Sequence, residues 1–334
     1  MSRRILILRE AEIRELLQPA ACIAAMERAF AAYSSGHAEL PSVIHLDVPE
    51  NRGEIHIKAG HLDGGPYYAV KMVSGFPGNR SIGLAANDGM IVVFDAKTGA
   101  PAGFLLDDGF ITDFRTAAAG AVAAKHLARR EIRKVAVLGT GGQARYQPEM
   151  LALVRSFREL RVWGRRAAKA RACVDDLRKH GALPAGCAVE MAASVREAVE
   201  GADIVITVTA SREPLVRAEW LTPGVTVIAA GSDGPDKQEL DVDCLSRATT
   251  IVADSLTQCL RLGEIHHAVE SGAIAKQGVY PELGEITAGR KNGRGSDEEI
   301  IICDLTGVGV QDVAAAWAVM DRALSLGRGE RIDI

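Results

Sequence analysis

Residues 134–151, KVAVLGTGGQARYQPEML, constrain this chain more than any other stretch. Val135, Ala136, Val137 and Leu138 run straight into Gly139-Thr140-Gly141-Gly142-Gln143-Ala144, after which a helical pattern begins. The order is strand, glycine-rich turn, helix. In the spacing G-x-G-x-x-A, one glycine allows the tight turn and the next lets backbone approach a pyrophosphate. The small Ala144 then lets helix pack closely on strand. The helix start offers unpaired N–H groups and a positive dipole end to phosphates. Two readings stand, a dinucleotide site and a tight structural turn with no ligand; the strand and helix on either side favour the first.

Beyond residue 150 apolar runs and helical patterns alternate. Strands are expected at 160–163, 188–191, 203–207, 225–230 and 250–253, with helices at 167–180, 194–200, 241–246 and 255–270. Such alternation predicts a parallel sheet covered by helices on both faces. Residues 274–297 form a glycine-rich connection, followed by a buried strand at 300–303 and an amphipathic helix at 310–326.

The N-terminal third has a different pattern. A strand at Ile5–Leu8 precedes a helix from Pro19 carrying Ile23, Met26, Phe30 and Tyr33, and residues 41–106 look like β meander. Glu54, His56 and Lys58 alternate with Ile55 and Ile57 and so share one strand face. Lys71 lies inside the apolar strand 66–73, either as an edge side chain reaching for solvent or as a functional cation. Thr112 is expected to N-cap an alanine-rich helix reaching about Ala128, with Arg115 in its first turn. Helix starts favour anions, so Arg115 there suggests an anion held jointly by guanidinium and helix end. A plain surface arginine is the other reading.

The second strand of the alternating region ends in Trp163-Gly164-Arg165-Arg166. An acid at that place hydrogen-bonds a ribose 2′-hydroxyl and selects NAD, whereas arginine suits a 2′-phosphate. The expected cofactor is therefore NADP or NAD, with a lean to NADP, unless both arginines simply face solvent. Ligands of open α/β sheets bind beyond the carboxyl ends of the strands. This sets Thr207 and Thr209 after one strand, and Ala230-Gly231-Ser232-Asp233 after the next, beside the cofactor. Asp233 either shuttles a proton to or from an amine or caps the following turn. Asp304 and Asp312, either side of Thr306-Gly307-Val308-Gly309, are further acids able to border a site.

At 334 residues the chain is long enough for two domains with separate cores. A net charge of −4 gives no reason to expect nucleic acid or an acidic membrane surface as partner. The six cysteines include no C-x-x-C pair and read as reduced thiols of a cytoplasmic protein. No apolar stretch reaches membrane-spanning length. The eight histidines show no metal-ligand spacing, so no metal is expected, and no G-x-S-x-G elbow points to a serine hydrolase.

Several stretches together carry a family resemblance over nearly the whole chain. They are Val70–Val73 with Gly75–Asn79, Phe94–Gly99, Thr112–Ala118, Gly139–Ala144, Ala230–Asp233 and Gly307–Asp312. The chain resembles the ornithine cyclodeaminase/mu-crystallin family, most closely its ectoine-utilisation cyclodeaminase branch. The resemblance implies an α/β fold with a Rossmann-type doubly wound parallel sheet over residues 114–309. It also implies a second α/β domain built from residues 1–113 and 310–334, which binds substrate and carries a homodimer interface. Lys71 and Arg115 are then expected to face the substrate carboxylate and nicotinamide, with Lys71 also serving catalysis and Asp233 as acid/base. Gly142, Gln143, Thr209, Ala230, Gly231, Ser232, Asp233 and Lys237 are expected to line the cofactor, beside Gly139, Thr140, Gly141, Ala144, Thr207, Arg165 and Arg166.

The implied chemistry acts at the α-carbon of a small amino or imino acid. Hydride leaves for nicotinamide, an imine forms, the distal amine attacks, ammonia departs and hydride returns. Relatives that stop half way are amino-acid dehydrogenases or cyclic-imine reductases, and mu-crystallin itself offers a non-catalytic cofactor-binding alternative. Ornithine-specific members carry an arginine after the first helical region and an acid on the next strand. Residues 39–47 contain Glu39, Ser42, His45 and Asp47 but no arginine, and the next strand offers His56 and Lys58. A family serine two residues before the closing glycine is replaced by Leu305, followed by Thr306. A cationic strand face repels ornithine's distal ammonium and suits a second carboxylate or a neutral ring. His56, Lys58 and Thr306 therefore join Lys71 and Arg115 as expected substrate-binding residues.

Overall fold

A computed structural model describes residues 4–278 and 282–333. The chain divides into two units, one ending at Arg115 and resuming at Val308, the other spanning Thr116–Gly307. The first begins with β1 (Arg4–Arg9), α1 (Glu10–Leu16), α2 (Pro19–Ser34), β2 (Ala38–Glu39) and β3 (Ile44–Val48). It continues through β4 (Gly53–Leu62), β5 (Tyr67–Gly75), β6 (Asn87–Asp95), β7 (Pro101–Leu106) and the start of α3 (Phe110–Leu127). The second unit holds β8 (Lys134–Leu138), α4 (Gln143–Ala152), β9 (Glu159–Trp163), α5 (Ala167–His180), β10 (Ala188–Met191), α6 (Val195–Val199) and β11 (Ile204–Thr207). It goes on with β12 (Thr226–Ala229), α7 (Val242–Arg247), β13 (Thr250–Ala253), α8 (Leu256–Cys259), α9 (Gly263–Glu270), α10 (Leu283–Thr287) and β14 (Ile301–Asp304). The chain then returns to the first unit with α11 (Gly309–Leu326) and β15 (Glu330–Asp333).

The first unit is one mixed sheet in the order β15-β1-β7-β6-β5-β4-β2, with β3 also paired to β4. Most neighbours are antiparallel, as expected for a meander, while β1 and β7 run parallel. Alternation along β5 turns Ala69 and Lys71 to the buried side. That side is covered by α2 and α11, whose Met26, Phe30, Val313, Val319 and Met320 are almost fully enclosed. The N-terminal end of α11 can approach β4 closely because both contact points are glycine. A Cβ on Gly309 would meet the Ala59 carbonyl at 2.7 Å, and one on Gly60 would meet Val313 at 3.1 Å.

The second unit is a parallel sheet in the order β10-β9-β8-β11-β12-β14-β13. From β8 the chain winds outward to β9 and β10, then crosses back to β11 and β12. Right-handed crossovers make such an order doubly wound. Its inner strands are buried along their whole length, which explains apolar runs without alternation. The strand expected last in sequence, β14, is inserted between β12 and β13 rather than added at the edge.

Two helix expectations need correction. The helix expected over 255–270 is two helices, because Leu262 is extended and Gly263 takes φ +80° to pass beside the Asp304 carboxylate. The helix expected to start at Thr112 starts at Phe110, after the left-handed pair Asp108-Gly109. Its first turn is capped by Asp107, whose carboxylate accepts the Ile111 N–H at 2.8 Å. Arg115 consequently lies in the second turn, away from the exposed amides of the helix start. Strand β3 falls within the expected meander, whereas β15, with Ile332 as its single apolar residue, carries too little apolar pattern to be expected.

Candidate functional site

In the first unit three charged side chains converge beneath the sheet. Asp312, in the opening turn of α11, receives the Lys71 ammonium on Oδ2 at 2.9 Å and the Arg115 Nε on Oδ1 at 2.9 Å. Arg115 Nη1 also donates to Gln311 Oε1 at 3.0 Å, and the same oxygen accepts the Val308 N–H that opens α11. Lys71, Arg115, Gln311 and Asp312 are all nearly excluded from solvent. Burial pushes the Lys71 ammonium down to about 7, with Arg115 and Lys58 adding to the shift against the pull of Asp312. Burial alone would raise the Asp312 carboxyl, but Arg115 and Lys71 outweigh it and hold it below its ordinary value. Asp107 nearby is pushed up to about 6, chiefly by burial.

Both alternatives for Lys71 and Arg115 that made them surface residues are thereby overturned. Lys71 is central in the sheet, and Arg115 is locked to α11. Lys58 sits directly across from Lys71 in the β4–β5 ladder, and His56 lies one step further out opposite Val73. His45 of β3 faces His56, ring edge to ring face, with centroids 4.6 Å apart. The strand face is thus cationic near Lys71 and imidazole-rich beyond it, with Asp47 and Glu54 at the rim.

In the second unit the glycine loop lies at the carboxyl end of β8, where the winding direction reverses toward β11. Gly139 takes φ +137°, and a Cβ there would strike the Val208 carbonyl at 2.7 Å. Gly164 similarly leaves room for Thr140, whose methyl a Cβ would meet at 2.3 Å. Gly141, by contrast, faces open space, and no side chain caps the α4 start at Gly142. The loop therefore presents bare backbone and an uncapped helix end, an arrangement that fits a pyrophosphate. Arg145 pins the loop from behind, donating to the carbonyls of Thr140 and Gly141 at 3.0 Å each while pairing with Asp176. Gln143 lies at the helix start and Ala144 is buried against it. Arg165 and Arg166 are exposed after β9, with Arg166 at the N-cap of α5.

The ends of β11 and β12 carry the remaining expected residues. Thr207 is buried at the end of β11, and its carbonyl accepts the Ala230 N–H at 2.9 Å. The carboxylate of Asp233 is 57% exposed and pairs with Lys237 Nζ at 2.5 Å. Ser232 closes the intervening turn by donating to the Lys237 carbonyl. Thr306, expected to touch substrate, is buried and donates its hydroxyl to Asp254 at 2.9 Å. Asp304 is likewise buried, accepting the Ile265 N–H, so it braces α9 rather than bordering a cavity.

The ornithine cyclodeaminase/mu-crystallin family model matches residues 3–327. The chain belongs to that family. It is 44% identical to an uncharacterized cyclodeaminase of Sinorhizobium fredii over 95% of each chain. An archaeal alanine dehydrogenase dimer with bound NAD superposes with a TM-score of 0.91 at 36% identity, covering 99% of each chain. The Δ1-pyrroline-2-carboxylate reductase of Thermococcus litoralis, in complex with NADH and L-proline, gives 0.92 at 31% identity, covering 98% of this chain and all of that one.

Several residues that hold the buried cluster and the loops of the candidate site carry no sequence signal. Gln311, Arg145 and Glu239 look like ordinary surface polar residues until the fold buries or engages them. Asp107 could have been found from the turn signal Asp107-Asp108-Gly109 immediately before the helix.

The depressed Lys71 value has a direct consequence. Its cation is present below about pH 7 and lost above it. A small carboxylate held by Lys71 should bind more weakly as pH rises through 7, measured by calorimetric titration. Lys71→Met should cost about tenfold or more in affinity at pH 6 and flatten that dependence. An unchanged pH dependence in Lys71→Met removes Lys71 from anion binding.

Proposed function

We propose that the protein is an NAD(P)-dependent enzyme acting at the α-carbon of a small amino or imino acid. The observation that carries this reading is the buried triad of Lys71, Arg115 and Asp312. While Lys71 is protonated, two cations share one carboxylate in a cluster withdrawn from water, and an α-carboxylate is the complementary ligand. The names of the similar proteins, a cyclodeaminase, an alanine dehydrogenase and an imino-acid reductase, all describe chemistry at that carbon and its nitrogen. Bound nicotinamide supplies hydride transfer. The glycine loop with Gly139, Thr140, Gly141, Gly142, Gln143 and Ala144 holds the pyrophosphate, and Thr209, Ala230, Gly231 and Ser232 line the cofactor's other side.

Asp233 serves as the proton-transfer group, its exposed carboxylate held ready by Lys237. Lys71 and Arg115 orient the substrate carboxylate, which fixes the α-carbon for hydride transfer. Lys58, opposite Lys71, and His56 favour a substrate whose far end is anionic or neutral over ornithine's ammonium. Arg165 and Arg166, exposed where a ribose-binding acid is absent, favour NADP over NAD.

A homodimer accompanies this reading. Ile44, Ile57, Met72 and Met90 form one cross-strand row on the sheet face opposite Lys71. Ile44 and Leu46 there are 54% and 50% exposed. An apolar sheet face of this kind is what a second copy covers.

Four outcomes test these assignments. Purified protein should oxidise NADPH or NADH with a cyclic imine or with an α-keto acid plus amine, or else release ammonia from an amino acid without net cofactor change. Asp233→Asn should remove turnover while cofactor affinity, read by fluorescence titration, stays near wild type; normal turnover excludes Asp233. The pair Arg165→Ala and Arg166→Ala should weaken NADPH about tenfold or more while sparing NADH, since each guanidinium–phosphate contact is charge-assisted; equal losses refute the NADP reading. In sedimentation velocity, Ile44→Glu with Leu46→Glu should convert a wild-type dimer to monomer, and a monomeric wild type overturns the dimer.

A further inference from the structure

The loop carrying Asp233 hangs between two strand ends that the sheet ladder no longer joins. The last rung between β11 and β12 is the Ala230 N–H on the Thr207 carbonyl. Beyond it the strands diverge, and the amides of Thr209 and Gly231 lose their ladder partners. One side chain takes both. Glu239 accepts the Thr209 N–H on Oε1 at 2.6 Å and the Gly231 N–H on Oε2 at 2.9 Å. It is fully buried.

The fit around this carboxylate is close. A Cβ on Gly231 would lie 2.5 Å from Glu239 Oε2 and 2.4 Å from the Thr209 carbonyl. Glycine at 231 is thus what allows the strand end to reach the acid. Glu239 is in turn fixed from behind, because the Glu264 carboxylate accepts the amides of Glu239 and Leu240 at 2.8 and 3.0 Å. Gln238 N donates to the Ser211 carbonyl, and His267 Nε2 meets the Lys237 carbonyl at 2.8 Å. With Ser232 bonded to the Lys237 carbonyl, residues 231–239 form a closed loop whose free tip is the Asp233–Lys237 pair.

We propose that Glu239 is a positioning residue for the reaction, clamping the ends of β11 and β12 so that Asp233 is presented at a fixed place and angle. The inference rests on the proposed proton-transfer role of Asp233. Glu239 touches neither substrate nor cofactor; it acts through the backbone of residues 209 and 231. A carboxylate is needed because both partners donate. Glutamine at 239 offers one carbonyl and one NH2, so one arm of the clamp becomes donor against donor. Aspartate keeps two acceptors on a side chain one methylene shorter.

The test uses the full-length protein with saturating cofactor. Glu239→Gln should lower kcat about tenfold or more with substrate KM within about twofold, because Lys71 and Arg115 lie outside this loop. Glu239→Asp should fall between Glu239→Gln and wild type. A Glu239→Gln kcat within about twofold of wild type, or a loss carried by KM alone, overturns the proposal. Hydrogen exchange on the wild-type protein decides independently of how the variants fold. The Thr209 and Gly231 amides should be protected like those of Ile206 and Ile228, and coil-like exchange at either amide refutes the clamp. Asp233→Asn is assayed in parallel. If it turns over normally, the role of Asp233 fails on its own, and exchange still judges the clamp.

Discussion

The carboxylate of Asp312 satisfies two cations at once, and the first unit is arranged around that fact. An ammonium and a guanidinium taken out of water each cost several kcal/mol unless compensated. Here one acid compensates both, and its own position is over-determined. It lies in the first turn of α11, where the helix dipole favours a negative charge. Gln311 ties the same turn to Arg115, and the glycine pair at 60 and 309 lets the helix end come down onto β4. The cost of burying three charges is thereby offset within one fixed, desolvated cluster.

The second unit uses buried acids differently. Glu239, Glu264, Asp254 and Asp304 accept backbone N–H groups at places where the parallel ladder ends or a loop turns. Burial raises all four carboxyls above their ordinary values, to about 7 for Glu239, and the amide donors oppose that rise. These acids are substitutes for missing strands. The sheet's carboxyl edge can therefore open into a crevice without leaving orphaned amides, which is the structural requirement for a ligand site there.

How much of this was legible follows from which interactions are local. The strand–loop–helix of residues 134–151 is written in consecutive residues, and so are Ala188–Met191 and Ala167–His180, where the expected limits coincide with the observed ones. The start of α3 was misplaced because Thr112 imitates an N-cap, while the true cap, Asp107, acts across the left-handed Asp108-Gly109 turn. Lys71 stands out among its apolar neighbours, but its partner lies 241 positions away (312 − 71), beyond any periodicity. Glu239 was invisible for the same reason. Its two amide partners come from different strands, and only the closed loop brings them to one carboxylate.

The return of the chain to the first unit has a consequence for the order in which the protein can be built. On the ribosome, Lys71 and Arg115 emerge long before Asp312, and β1 waits for β15, its antiparallel neighbour through Arg4 and Asp333. Until α11 arrives, the N-terminal sheet holds an apolar side with only α2 of its two covering helices, and cations without their acid. The intervening segment has its own contiguous core and can condense meanwhile. The buried cluster of Lys71, Arg115 and Asp312 thus comes into being only after residue 312 has been translated.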